Sequence, residues 1–487
     1  MYSSIAHSIY KFSIDNPEKL AIADTSGCYN YRELACTFVN TYGKMLEMGI
    51  KSGDYILVEC TQNADFIILD LACQCLGAVF VPVEKKALAD RVKKIYSEAK
   101  AVCIFSETDY PELGSNIKIR EFIGEKSNET DIEFPRINKN ALAEILFSTG
   151  TTGEPKGICI SNRANIAIAE NIIYGTKMNE KTVEMIPLPL SHSHGLRTCY
   201  ANLYNGSSIV IIDGVMNVGL FFKMLGKYNV NALDVSPTLA KLLLKIAKKG
   251  LQECSSSIDY IEIGTAVLED DTKEKLKNIF VSSRLYNFYG STEAGRSCVL
   301  NFNEIDFASC IGYPSKNSTF YIVDEERHVI ESSVHNTGII AVSGPMMMDG
   351  YFNAEQLTKD TVVDGILYTS DVGYFDEDGR LYVIGRKDDV INYKGIKIAP
   401  EEIESVAVLY DAVSDCACVP MTDSVCGQVP MLFIKVKNQE QFDLSDYNDF
   451  LKKNLDISRM PKKIEIIEEI PRSSNGKLQR KKLLEKQ

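Results

Sequence analysis

From Ile22 onward, short runs rich in β-branched residues alternate with longer amphipathic stretches, and that alternation leaves few folds open. Tyr55 to Cys60 reads as a strand, Asn63 to Leu76 as a helix, Val79 to Val83 as a strand, Leu88 to Lys100 as a helix and Ala101 to Ser106 as a strand. A two-residue period suits a pleated strand and a three-to-four-residue period suits a helix lying on a sheet, so the order implies α/β layers. The pattern returns at Ser207 to Asp213 and Asn217 to Tyr228. Ser236 can then cap a helix whose first position is Pro237, opening Thr238 to Lys249. Strand-like Ile258 to Ile263, helix-like Leu268 to Phe280 and strand-like Arg284 to Tyr289 follow, and Gly264 and Gly290 mark the exits of the two strands. Open α/β sheets bind ligands beyond the carboxyl ends of their strands, so a ligand is sought at these exits.

A chain of 487 residues exceeds one ordinary core. From about Phe307 short β runs are split by Gly, Pro and Asp, and the charged cluster Gly385-Arg-Lys-Asp-Asp389 reads as a boundary. The expected fold is α/β, α+β overall. A large N-terminal domain covers 1–386, with a β-rich subdomain over about 307–386, and a small mobile C-terminal α+β domain covers 387–487. Lys plus Arg number 53 against 66 Asp plus Glu, a formal charge of -13, which argues against nucleic acid as the main partner. Met1 to Phe12 lacks a basic stretch followed by an apolar core, and no apolar run is long enough to span a bilayer, so a cytoplasmic location is expected. The 14 cysteines include no Cys-x-x-Cys, and Cys103 and Cys159 lie in apolar runs as small hydrophobes; reduced thiols and no structural metal are expected.

Four segments carry chemistry. Leu146-Phe-Ser-Thr-Gly-Thr-Thr-Gly-Glu-Pro-Lys-Gly157 offers close backbone approach at Gly150 and Gly153, hydroxyls from Ser148, Thr149, Thr151 and Thr152, and the charge of Lys156, a set suited to a polyphosphate. Pro155 and Gly157 flank the lysine, so this is not a Walker A loop. Asn287-Phe-Tyr-Gly-Ser-Thr-Glu-Ala-Gly295 places Asn287, Tyr289, Gly290, Thr292 and Glu293 at a strand exit; Tyr289 can stack on a base, Thr292 can donate to phosphate and Glu293 can hold magnesium. Tyr368-Thr-Ser-Asp-Val-Gly373 with Gly385-Arg386 offers Asp371 and Arg386 to ribose or phosphate oxygens. Pro471-Arg-Ser-Ser-Asn-Gly-Lys-Leu-Gln-Arg480 holds a glycine-lysine turn at the basic end.

In their order these segments, with Leu188-Pro-Leu-Ser-His192, Gly344-Pro-Met-Met-Met-Asp-Gly-Tyr-Phe-Asn353 and the Lys394-Gly395 region, resemble the adenylate-forming superfamily of acyl-CoA synthetases, carrier-protein adenylation domains and luciferases. The resemblance covers nearly the whole chain. It implies that residues 149 to 156 close over the β- and γ-phosphates, that Gly264, Thr265 and Ala266 sandwich adenine with Tyr289, and that Glu293 ligates Mg2+. It further implies that Asp371 binds the ribose hydroxyls with help from Arg386, that Lys477 bridges the substrate carboxylate and the α-phosphate, and that Asp388 is a hinge. Lys394 and Gly395 would then face the thiol channel.

The activity implied is ATP-dependent formation of an acyl-adenylate with release of pyrophosphate, then acyl transfer to CoA. The Tyr-Gly-Ser-Thr-Glu form of the second motif resembles CoA ligases more than peptide-synthetase domains. A stand-alone ligase loading the phosphopantetheine of an acyl carrier protein is the alternative, and a non-catalytic adenylate-binding protein the reading from another class. The small-molecule acid, and a choice between monomer and homodimer, stay open. Two departures stand out: Ser370 where the family usually has glycine, and Ser191 in place of an aromatic residue. His192 is expected as a pocket wall or gate, with proton transfer by His192 or His194 as a further option. His194, Arg197 and Arg296 are the acyl-pocket candidates; the two arginines follow pocket-lining segments, where a guanidinium would suit a second carboxylate on the substrate.

Overall fold

The computed structural model describes residues 2–113, 116–127, 133–149, 155–305, 307, 309–394, 396–423, 425–472 and 478–485. They form two compact units, one drawn from 1–306, 311–319 and 342–367, the other from 307–310, 320–341 and 368–487. The β-rich stretch from about 307 to 386 therefore contributes to both, and 368–386 groups with the C-terminal hundred residues.

The first unit holds two sheets. In one, β1 (Tyr55–Glu59), β2 (Val79–Val83) and β3 (Leu142–Thr149) run parallel, and β4 (Pro155–Ser161) returns antiparallel to β3. Every residue of β2 is buried, as expected of a parallel strand covered on both faces. Helix α1 (Ala64–Leu76) is buried all round, which its apolar sequence permits, and it ends where Gly77 takes φ +75 as a left-handed cap. The second sheet contains β5 (Val183–Ile186), β6 (Ser208–Ile211), β7 (Ala232–Val235), β8 (Tyr260–Ile263) and β9 (Arg284–Ser291) in the spatial order β6-β5-β7-β8-β9, all parallel. Strand β10 (Gly295–Asn301) closes antiparallel on β9. Helices α2 (Asn162–Thr176) and α3 (Ser193–Tyr204) pack on one another beside this sheet.

Helix α4 (Pro237–Ile246) begins as its sequence dictates. Ser236 Oγ accepts from the N–H of Leu239 at 3.2 Å, and Pro237 fills a position whose N–H would have no partner. It ends at Ile246 rather than at the expected Lys249, because Ala247 leaves helical geometry and a separate helix starts at Lys248. Cys159 also departs from expectation. It is half-buried, whereas Cys103 is buried, and all 14 cysteines are unbridged.

The second unit pairs β11 (Ile366–Phe375) with β12 (Leu381–Arg386), and β13 (Val413–Asp423) with β14 (Gly427–Val436), both antiparallel. Helix α5 (Pro400–Ala407) buries Ile403 and Ala407 against Cys416, Cys418, Leu432 and Ile434. Arg480, nine-tenths buried, donates to the carbonyl of Cys418 and to Glu401 and Glu404, which ties the C-terminal turn to that core.

Candidate active site

Glu293 is held from two sides. Its carbonyl accepts from the N–H of Met348 at 2.8 Å, and its Oε1 accepts from the hydroxyl of Tyr351 at 3.1 Å. Tyr351 pairs with Ile158 of β4, and Lys156 Nζ lies 6.0 Å from its ring centroid, so the hairpin β3–β4 and the turn after β9 converge on one aromatic ring. Across the hairpin Ser148 faces Lys156 and Thr149 faces Pro155 in register. Gly150, Thr151, Thr152 and Gly153 lie outside the described residues. Thr292 is half-buried in the same turn as Glu293. Gly290 admits no side chain, since a Cβ there would stand 2.0 Å from the carbonyl oxygen of Gly295.

The exit of β8 is equally restricted. A Cβ on Gly264 would fall 2.1 Å from the ring of Phe288, so the ring lies directly on the glycine backbone. Thr265 follows at φ +77, a conformation that a β-branched residue adopts only under strain, and its hydroxyl turns back to the carbonyl of Gly264. Thr265 and Ala266 are exposed, Asn287 is buried beside Ile263, and Tyr289 is half-buried one residue beyond Phe288.

Beneath these exits lies a layer that the motifs did not announce. Asp234 of β7 and Glu262 of β8 stand side by side in register, and Glu184 of β5 pairs with Ala232 two residues before Asp234, so three buried carboxyls share one face of a parallel sheet. Helix α3 meets them with residues four apart, which stack on one helical face. His194 Nε2 is 2.6 Å from Asp234 Oδ1, Thr198 Oγ1 donates to Asp234 Oδ2 at 2.5 Å, and Asn202 Nδ2 donates to Glu184 Oε2 at 2.6 Å. Arg296 enters from β10, paired with Glu262 and donating to Thr198 Oγ1 at 2.5 Å, with its guanidinium carbon 3.8 Å from the Phe288 ring centroid. The His194 ring meets the same phenyl edge-on at 4.8 Å. Burial pushes the Glu184 carboxyl well up, with the charge of Glu262 adding to it, and pushes Glu262 up against the opposing pull of Arg296. Burial likewise lowers His194, with Asp234 opposing, so the imidazole is favoured neutral.

The opposite side of α3 carries Arg197, which is 1% exposed and lies against Glu144 of β3 as an ion pair without well-directed hydrogen bonds. Tyr200 OH donates to Asp70 Oδ2 at 2.7 Å in the same cluster. His192 stands immediately before α3 without a side-chain capping bond, 3.6 Å from Glu84, and burial lowers its pKa.

In the second unit Asp371 of β11 sits directly opposite Arg386 of β12. The N–H of Asp371 donates to Thr369 Oγ1 at 3.0 Å, which fixes the strand just before its bulge at Val372 and Gly373. Asp388 is exposed in a turn closed by the N–H groups of Asp389 and Val390 on the carbonyl of Arg386. Lys394 is exposed at φ +50, while Gly395 and Lys477 lie outside the described residues.

The description "AMP-binding enzyme" matches residues 13–352, and "AMP-binding enzyme C-terminal domain" matches 402–477. The chain belongs to the AMP-binding enzymes. Among curated relatives, 4-coumarate–CoA ligase 1 of Solanum tuberosum is 26% identical over 93% of this chain and 88% of its own length. A probable CoA ligase of Humulus lupulus is 28% identical over 90% and 84%. Among solved structures, ATP-bound MatB of Rhodopseudomonas palustris superposes with a TM-score of 0.88 at 20% identity, covering 100% of this chain and 99% of that one. The O-succinylbenzoate coenzyme A synthetase of Bacillus subtilis, in complex with ATP and magnesium ion, gives 0.87 at 23%, covering 98% and 99%.

In this AMP-binding enzyme Glu293 and Lys156 both lie at the side chain of Tyr351, and the two arginines lie elsewhere than expected. Arg197 and Arg296 were expected to meet a second substrate carboxylate, but both are buried in ion pairs with carboxyls of the chain itself. Sequence reading missed Tyr351, Phe288, Asp234, Glu262 and Glu184. A signal existed for the last three: carboxyls inside short strands that are otherwise apolar, as in Ala-Leu-Asp-Val and Tyr-Ile-Glu-Ile. Glu293 offers a hard carboxylate oxygen of the kind magnesium takes, with one side-chain oxygen oriented by Tyr351. A single carboxylate with substrate phosphates is a usual magnesium set.

Proposed function

We propose that this AMP-binding enzyme is an acid–thiol ligase. A carboxylate oxygen of the acid bonds to the α-phosphorus of ATP as pyrophosphate leaves, and the thiol sulfur of CoA then bonds to the acyl carbon as AMP leaves. The observation that carries the reading is the convergence of Lys156, Tyr351 and Glu293 at the turn after β9, which gathers a cation and a hard oxygen ligand beside the glycine-restricted exits of β8 and β9.

The residues divide the work by chemistry. Residues 148 to 156, including Ser148, Thr149, Gly150, Thr151, Thr152, Gly153 and Lys156, hold the outer phosphates, and Thr292 donates to phosphate. Glu293 holds the magnesium ion, which when bound offsets phosphate charge. Gly264, Thr265 and Ala266 present a flat backbone to adenine opposite Tyr289, with Asn287 and Gly290 shaping the edge. Asp371 accepts from ribose hydroxyls, and the register that sets Arg386 opposite it supports that role. Two anions meet in the first step, and Lys477 offsets their repulsion where it develops. His192 walls the entrance. Asp388 is the hinge of a C-terminal domain spanning 387–487, and its rotation replaces Lys477 by the Lys394–Gly395 surface for thiol transfer. No helix among the described residues is long and apolar enough to cross a membrane. The unbridged cysteines support a cytoplasmic place of work.

The test is ATP-dependent pyrophosphate release across aliphatic, aryl and dicarboxylic acids with CoA present. One acid class should give release coupled to thioester. Release that is indifferent to CoA but coupled to holo carrier protein would transfer the acceptor role to the carrier, and silence throughout would leave a binding protein.

A further inference from the structure

The chain on either side of 473–477 is fixed in place. Arg472 and Leu478 pair as an antiparallel bridge, and the N–H of Gln479 donates to the carbonyl of Pro471 at 2.9 Å, so two short arms meet across the five residues between them. Both arms are docked on β13. Arg472 donates to Asp415 through Nε at 3.1 Å and Nη2 at 2.8 Å, a forked pair. Arg480 donates through Nε to the carbonyl of Cys418 at 3.1 Å and through Nη2 to Glu401 and Glu404 of α5 at 2.8 Å. Glu404 Oε1 also accepts from the N–H of Cys418 at 2.6 Å, so one carboxylate joins strand, helix and arm. Ile470 before the first arm and Leu483 after the second are buried in one apolar cluster with Ala417, Val419, Met431 and Phe433.

We propose that Arg472 and Arg480 are positioning residues for Lys477, which fix the arms that carry it and so serve the adenylation step and not the thiol-transfer step. The inference rests on the ligase reading above, in which Lys477 offsets charge in the first step, and goes beyond it by assigning the two arginines. Leu478 follows Lys477 in the chain and Arg480 stands three residues beyond it. Attachment alone does not call for the guanidiniums. Ile470 and Leu483 already fasten both arms to the core, and fixing two long side chains costs rotamer freedom. What the forked bonds add is direction, and a displacement of about 1 Å at a reacting centre costs on the order of 10²-fold in rate. Lys394, on the thiol-transfer side of the same reading, is anchored elsewhere: its N–H donates to the carbonyl of Cys426 at 2.9 Å, in the turn beyond the far end of β13.

The experiment separates the two half-reactions in the full chain. Pyrophosphate release with ATP and butyrate, benzoate or succinate reads the first, and thioester formation from CoA and the matching acyl-adenylate, supplied ready-made, reads the second. Arg480→Gln should lower kcat for pyrophosphate release on the order of 10²-fold, with the KM for ATP within about threefold and thioester formation within about twofold of wild type. Arg472→Gln should show the same split at about tenfold, and Arg480→Lys, which keeps a cation beside Glu404 without the fork, should recover part of the rate. Burial pushes the Glu404 carboxyl up to about 7 against the pull of Arg480, so in Arg480→Gln it takes a proton near neutral pH instead of standing as an unpaired charge. Arg472 is exposed, and its variant decides the matter if melting shows Arg480→Gln to be unfolded. Equal losses in both half-reactions, or no loss in the first, overturn the inference alone. Undiminished adenylation in Lys477→Ala overturns it together with the assignment of Lys477. Absence of pyrophosphate from the wild type with every acid overturns the ligase reading on which it rests.

Discussion

Helix α3 divides two buried polar clusters with similar ingredients and different ends. On one side His194, Thr198 and Asn202 meet Asp234, Glu262, Glu184 and Arg296; on the other Arg197 and Tyr200 meet Glu144 and Asp70. Each places a guanidinium among carboxyls in the protein interior, where an ion pair contributes little net stability but where removing one partner is expensive. The first cluster ends at an unmatched acceptor beside Phe288, whereas the second runs between α3, β3 and α1, through Gln74, to the N–H of Ala6 in the N-terminal helix. Shared chemistry therefore does not imply a shared role. One cluster ends beneath the strand exits and the other joins layers.

Replacing the arginines should separate them most sharply. Arg296→Met and Arg197→Met should each destabilise by about 3–5 kcal/mol, because each strands buried carboxyls. Urea unfolding measures that loss, and only Arg296→Met should also slow pyrophosphate release per folded molecule. The same slowing in Arg197→Met would erase the distinction.

A smaller effect comes from Asp70, whose carboxyl burial pushes up to about 8, with the charge of Glu144 adding to it. The folded state then binds this proton more tightly than the unfolded chain. Its contribution is full below the ordinary carboxyl range and is lost as pH rises toward about 8. Stability of the wild type should fall between about pH 6 and pH 8 relative to Asp70→Asn, by on the order of 2 kcal/mol. Parallel stability curves for the two proteins would show that Asp70 does not titrate across this range.

The smallest change expected lies outside both clusters. Tyr351→Phe removes the hydroxyl that orients Glu293, a contribution of about 1 kcal/mol, so adenylation should slow about 5-fold and need more magnesium, with little change in unfolding midpoint. An unchanged magnesium requirement would mean that Glu293 is oriented by its backbone contact with Met348 alone.

The legible part of this molecule was local. Ser236-Pro237 predicts the start of α4, and the pattern from Asn63 to Leu76 predicts a helix, though an amphipathic one where the structure buries every side, because capping and periodicity act within one turn or one strand while burial is set by the layers around it. Glu293 and Lys156 stood out in the sequence because they sit in motifs rich in glycine, and the structure places both beside Tyr351. Arg197 and Arg296 were misread for a physical reason. A guanidinium's partner is chosen by tertiary placement, and Glu144 and Glu262 lie 53 and 34 residues away along the chain. Tyr351 was visible only as part of a motif, since its reach to Glu293 crosses 58 residues.

The register of the carboxyl-bearing sheet has one more consequence. Side chains in a strand alternate between faces, so a slip of one residue in β7 or β8 would carry Asp234 or Glu262 to the reverse side, away from Arg296, Thr198 and the imidazole. Apolar strands such as these could otherwise slide with modest penalty. These buried acids thus also act as alignment pins during assembly, and a chain stripped of them for greater stability would be free to close in the wrong frame.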